Sequence, residues 1–205
     1  MRYFKNKVLL MTMEIFLQCW GGICYLSSKI FIVRSEFLLN GRNCRLIGWV
    51  VYIIGLPAWV ILFISKQNWI AAAVEIAGIP SIILGIVITW KQNNNPNKYI
   101  DWSIRIFTGI TILLGIIFSI YTFGGIKAFS QILEIIIIFG ILVSNYLLAR
   151  RSPYAWLTFT SGHISTGTLM YIQNKPMLFI QQMLSLIPAI IGFRICMKKA
   201  KLIKP

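Results

Sequence analysis

Acidic residues are nearly missing. Five Asp and Glu stand against twenty Lys and Arg in 205 residues, with a single histidine. Charged residues of both signs make up 12% of the chain, about half of the ~25% usual in a water-soluble domain. Polar stretches are short as well. The longest lie near 29–45 and 91–102, which leaves almost nothing for an extramembrane domain. Each shortage excludes something. One His without Cys or carboxylate at ligand spacing excludes a metal site. The four cysteines, Cys19, Cys24, Cys44 and Cys196, have neither metal-ligand nor redox spacing and read as small buried hydrophobes. No Walker loop, Ser-centred nucleophile motif or paired-carboxylate constellation occurs, and Gly124-Gly125 reads as a turn. The chain is read as a non-enzyme that needs no cofactor.

What is present is apolar: 58% of the residues are hydrophobic and the mean hydropathy is +0.76. Seven runs are candidate membrane spans, at 8–28, 46–65, 69–90, 103–123, 127–149, 154–173 and 177–196. Each has about the ~20 residues that cross a ~30 Å hydrocarbon core. Assigned to alternating sides, six basic residues (Arg2, Lys5, Lys7, Lys66, Lys127, Lys175) fall with the N-terminus and fourteen fall opposite. Cytoplasmic loops collect Lys and Arg, so the N-terminus is expected outside and the C-terminus inside a plasma (inner) membrane. The excess behind the net charge of +15 then sits mainly on one membrane face, where it meets anionic lipid headgroups and not nucleic acid. The first run is too long for a signal-peptide core of ~7–15 residues and is read as a helix.

The spans divide as three, one and three. In the third, Gly78-Ile79-Pro80-Ser81-Ile82-Ile83 with Gly85 resembles Leu186-Ile187-Pro188-Ala189-Ile190-Ile191 with Gly192 in the seventh. Gln67-Asn68 and Gln173-Asn174 precede the two, and Met13-Glu14-Ile15 resembles Leu133-Glu134-Ile135 in the first and fifth. The expected fold is all-α: two parallel three-helix bundles (8–90 and 127–196) joined by an inverting linker helix (103–123), forming one membrane domain. Parallel repeats of this kind place a substrate site at their interface. Pro57, Pro80 and Pro188 lie inside spans and bend them.

An ionised group at helix centre costs ~2.5–3.5 kcal/mol even on lenient scales, so polar residues in spans should face inward. Glu14, Glu75 and Glu134 lie towards the outer flank and suggest an acidic vestibule for a cationic substrate. Gln131 and Glu134 are three apart, and Asn145 follows Glu134 by eleven, close to three turns on one face. Trp156, Thr160, His163 and Gly167 follow helical spacing in the sixth span, as do Gln181, Ser185, Pro188 and Gly192 in the seventh. Singly, such groups serve as helix–helix glue at roughly 0.6 kcal/mol each. Three stripes on consecutive helices favour a polar path.

The run Gln131-Ile132-Leu133-Glu134, then Ser144-Asn145-Tyr146-Leu147-Leu148-Ala149-Arg150-Arg151, Trp156, Gly192-Phe193 and a basic tail resembles the C-terminal half of the PnuC-type vitamin transporters. Leu26-Ser27-Ser28-Lys29 and Glu75 resemble the N-terminal half more loosely. The resemblance implies a seven-helix fold related to SWEET sugar transporters. It also implies facilitated uptake of nicotinamide riboside, or of thiamine or riboflavin as in relatives. The family's sixth-helix Asn is replaced here by Thr160-Ser161-Gly162-His163. Substrate-binding residues implied by spacing and resemblance together are Glu75, Gln131, Glu134, Asn145, Trp156, Thr160, His163, Gln181 and Ser185. Trp156 would stack on a cationic heteroaromatic ring. A non-transporting interaction protein and proton-coupled transport through His163 remain alternatives, and a homo-oligomer is left open. Reporter fusions after Lys127 and after Lys199 are expected on opposite sides of the membrane; the same side for both ends the three-one-three arrangement.

Overall fold

The computed structural model describes residues 2–38, 40–65, 69–92, 97–123, 129–172 and 176–203. Lys66, Gln67-Asn68, Gly124-Gly125, Lys127, Gln173-Asn174, Lys175 and Lys204, used above for charge, repeat and turn, lie outside them. Seven helices follow in order: α1 Arg2–Phe37, α2 Arg42–Ser65, α3 Trp69–Lys91, α4 Lys98–Phe123, α5 Phe129–Ala149, α6 Tyr154–Ile172 and α7 Pro176–Ile203. Six are long and apolar enough to cross a membrane. The exception is α6, which was expected to span on hydropathy alone. Its hydroxyl residues lower its hydropathy, yet Thr158, Thr160, Ser161, Thr166 and Thr168 each donate to a carbonyl of their own helix. Those groups are satisfied without a neighbour.

A second correction concerns the expected polar loop at 29–45. Helix α1 continues to Phe37 and α2 starts at Arg42. The apolar run Ile30-Phe31-Ile32-Val33 carries the helix past Lys29, which is 2% exposed. Removing Lys29 from the basic count leaves thirteen against six, so the bias survives its loss.

The helices close a ring. Helix α1 packs on α2, α2 on α3, α3 on α5, α5 on α6, α6 on α7, and α7 returns to α1. Helix α4 lies outside, against α3 and α5, and turns Phe107, Leu113, Leu114 and Phe118 outward. Without a hydrophobic drive between helices in lipid, close approach depends on small residues. Trp49 of α2 sits in a notch left by Gly85 of α3, and Trp156 of α6 in one left by Gly192 of α7; a Cβ on either glycine would stand 2.5 Å from the indole. Six residues after each Trp comes a further glycine at a helix crossing. Gly55 packs on Cys24 of α1, and Gly162 packs on Gly140 of α5. The two halves of the ring therefore repeat one packing device at matching positions.

Ion pairs gather at the ring end that holds the C-termini of α1, α3, α5 and α7. Buried Arg45 pairs with Glu36 and donates to the Leu148 carbonyl at 2.8 Å, tying α1 and α2 to α5. Asp101 of α4 accepts from the Tyr146 hydroxyl at 2.9 Å and pairs with Arg105 at 2.8 Å, which pins the outer helix to α5. Helix α5 stops where Arg151 adopts a left-handed φ of 56° and the Ser152 N–H bonds back to Leu147 at 2.9 Å. That closure usually employs glycine.

Overpacking a tight core site costs ~1–3 kcal/mol. Gly192→Ala and Gly85→Ala should each lower the Tm of the detergent-solubilised protein. Gly109→Ala, with nothing within 4 Å of its added Cβ, should leave it unchanged or raise it. Equal responses at the three glycines would refute the notch packing.

Candidate functional site

A cavity of about 70 Å³ lies inside the ring, and all six ring helices line it. Helix α1 contributes Tyr25, α2 Trp59 and Phe63, α3 Glu75, α5 Glu134, α6 His163 and Thr166, and α7 Gln181 and Gln182. Glu75, Glu134 and Gln181 stand within the first turns of their helices, so the cavity occupies the half of the ring away from the Arg45 and Asp101 ion pairs. Its walls between these groups are apolar: Val74, Ile137, Ile138, Ile141 and Leu169.

The polar atoms on this cavity are unusually free of partners. The Trp59 Nε1, Glu134 Oε2, His163 Nε2 and Gln181 Nε2 atoms are buried without a hydrogen bond. Buried polar groups are overwhelmingly paired, and each one left unpaired costs ~1–3 kcal/mol. Their concentration around one cavity marks it as built for something other than helix packing. His163 shows how the geometry assigns a role. Its Nδ1 lies 2.8 Å from the Gln182 amide oxygen, an acceptor, so Nδ1 carries the proton and Nε2 offers a lone pair.

The cavity floor is aromatic. Tyr25 meets His163 edge-on at 5.9 Å and Tyr52 at 5.3 Å, while Phe159 stacks on His163 at 5.8 Å with an interplanar angle of 10°. Beneath it lies the Lys29 ammonium, 3.2 Å from the Phe159 ring centroid, 5.0 Å from Tyr25 and 5.2 Å from Tyr52. Ring faces attract a cation electrostatically, most strongly when both are desolvated. Among the described residues no carboxylate forms an ion pair with Lys29.

Of the residues expected from sequence, Glu75, Glu134, His163 and Gln181 line the cavity. Asn145 lies below it, buried, facing Tyr52 in space left by Gly78. Gln131 is buried one turn before Glu134 but off the lining. The other three are also off it. Trp156 is 1% exposed in its Gly192 notch, the Thr160 hydroxyl donates to the Trp156 carbonyl, and that of Ser185 donates to the Gln181 carbonyl. Glu14, expected in an acidic vestibule, is absent from the lining and accepts a hydrogen bond from Gln18, which leaves Glu75 and Glu134 as the carboxylates on the cavity. Sequence reasoning missed Lys29, Tyr25, Tyr52 and Gln182. The four-residue step from Tyr25 to Lys29, within an apolar run that continues beyond both, was the available signal for two of them.

A desolvated cation–π contact is worth ~2 kcal/mol or more. A double-mutant cycle of Lys29→Met and Phe159→Leu in thermal unfolding should therefore show a coupling of about 1–2 kcal/mol. Additive effects would mean that the ring does not hold the ammonium.

A family model described as nicotinamide mononucleotide transporter matches residues 22–198. No curated protein and no solved structure matches the chain. The matched stretch contains every cavity-lining residue, and the chain belongs to this PnuC-type family of membrane transporters.

Proposed function

We propose that the protein carries nicotinamide riboside, or a closely similar heteroaromatic vitamin, across the plasma (inner) membrane through the axial cavity by facilitated diffusion. The observation that supports this most is the convergence of all six ring helices on one cavity lined by unpaired polar atoms. In this reading α1–α3 and α5–α7 are two parallel units that α4 joins, with the N-terminus outside. The repeated Trp-in-Gly notches support that division.

The chemistry of the walls suits such a substrate. Glu75 and Glu134 favour a positive ring, and the indole of Trp59 and phenol of Tyr25 offer faces to it. His163 Nε2, the Gln181 amide and, deeper, Asn145 can meet ribose hydroxyls or a carboxamide. Gln131, Trp156, Thr160 and Ser185 hold the helices that carry these groups. Sites for drug-sized ligands occupy ~300–1,000 Å³. A cavity of about 70 Å³ must widen to admit a nucleoside, so transport requires the two units to move apart around the axis.

Uptake of labelled nicotinamide riboside, thiamine and riboflavin into vesicles tests this reading. The two cations should enter in a Glu134-dependent manner. Glu134→Gln keeps the shape and removes the charge, and should cut their uptake about tenfold, the equivalent of ~1.4 kcal/mol. Neutral riboflavin should respond little. Undiminished cation uptake by Glu134→Gln would dispose of the acidic vestibule, and no uptake of any of the three would favour a non-transporting role.

A further inference from the structure

At the opposite end of the ring a second pocket, of about 330 Å³, has a quite different lining: Arg42, Arg45, Arg151 and Lys199 with Glu36 as the sole carboxylate. Four cations and one anion leave a formal charge of +3 around one hollow. The residues come from α1, α2, the α5–α6 turn and α7, so only the tertiary fold assembles them.

Three features separate this pocket from an ordinary solvated basic surface. Arg45 is 4% exposed, and although its terminal nitrogens are engaged by Glu36 and the Leu148 carbonyl, its Nε has no partner; the Nε of Arg42 is likewise buried and unpaired. Helix α2, 24 residues long, begins at Arg42 on the pocket wall and brings the free N–H groups and positive dipole end of its first turn. Arg151 and Gln92, both on the lining, take left-handed φ of 56° and 51°, a conformation for which glycine is the unstrained choice. Arginine at such a position keeps a guanidinium where helix closure alone would favour no side chain.

Guanidinium groups bind phosphate oxygens through paired, charge-assisted hydrogen bonds, and helix N-termini accept the same group. We propose that this pocket binds a phosphate group, at the membrane face opposite the carboxylate-lined cavity. The phosphate is that of an anionic lipid headgroup or of a free phosphate compound. Both present the same oxyanion to the same donors.

The test uses the full chain in nanodiscs and the variant Arg151→Gln/Lys199→Gln, which alters two residues outside the Arg45–Glu36 tie. Unliganded melting curves confirm that the variant folds, and Lys199→Gln alone serves where the double variant does not. In phosphatidylcholine discs, pyrophosphate should raise the Tm of the parent protein, and the variant should need at least tenfold more of it; this outcome assigns a free phosphate compound. Retention of phosphatidylglycerol from mixed discs by the parent in native mass spectrometry, with its loss from the variant, assigns the lipid. Parent and variant responding alike to both probes overturns the site. None of these readouts depends on transport, so the result stands apart from that of the uptake experiment.

Discussion

Charge inside hydrocarbon is the constraint from which the rest of the architecture follows. Lys29 lies well within α1, near the outward-facing Ile23 and Ile30, and turning its ammonium to lipid would cost several kcal/mol. It points inward instead, against Phe159 of α6 and Tyr52 of α2. That contact can form only if the first and second halves of the chain meet. The α7–α1 and α3–α5 contacts that close the ring bring Phe159 to Lys29. The same closure brings Glu75 and Glu134 together and gives both carboxylates somewhere other than lipid to face.

Closure demands close helix approach, and lipid supplies little drive for it. The chain answers with shape. Trp49 and Trp156 fill notches at Gly85 and Gly192, and Gly140 meets Gly162 backbone to backbone. An indole keyed into a glycine fixes the rotation of both helices, which settles which residues the ring turns inward. Trp156, expected from the sequence to stack on substrate, lies in such a notch, and His163, two turns on, lines the cavity beside Gln182.

The two pockets of the ring differ in charge. One is lined by Glu75 and Glu134 with unpaired amide, imidazole and indole nitrogens; the other by Arg42, Arg45, Arg151 and Lys199 with Glu36. Lys29 stands between them beneath an aromatic floor.

The number and approximate place of the helices were legible in the sequence because ~20-residue apolar runs have few other uses. So were the likeness of Gly85 to Gly192, which each receive an indole, and the inward direction of Glu75 and Glu134, because burial cost alone dictates it. The limits of the first span were not: Lys29 reads as a loop residue unless an aromatic cage from two distant helices is known to receive it. Nor were the inward faces of α6 and α7 legible. Ile-rich membrane helices are apolar nearly all round, so helical spacing groups Trp156 with His163, and Ser185 with Gln181, without saying which member reaches the cavity. Charge placement and hydropathy act along the chain and are written there. The cage, the notches and the two pockets depend on contacts between helices far apart in sequence, and only the closed ring decides them.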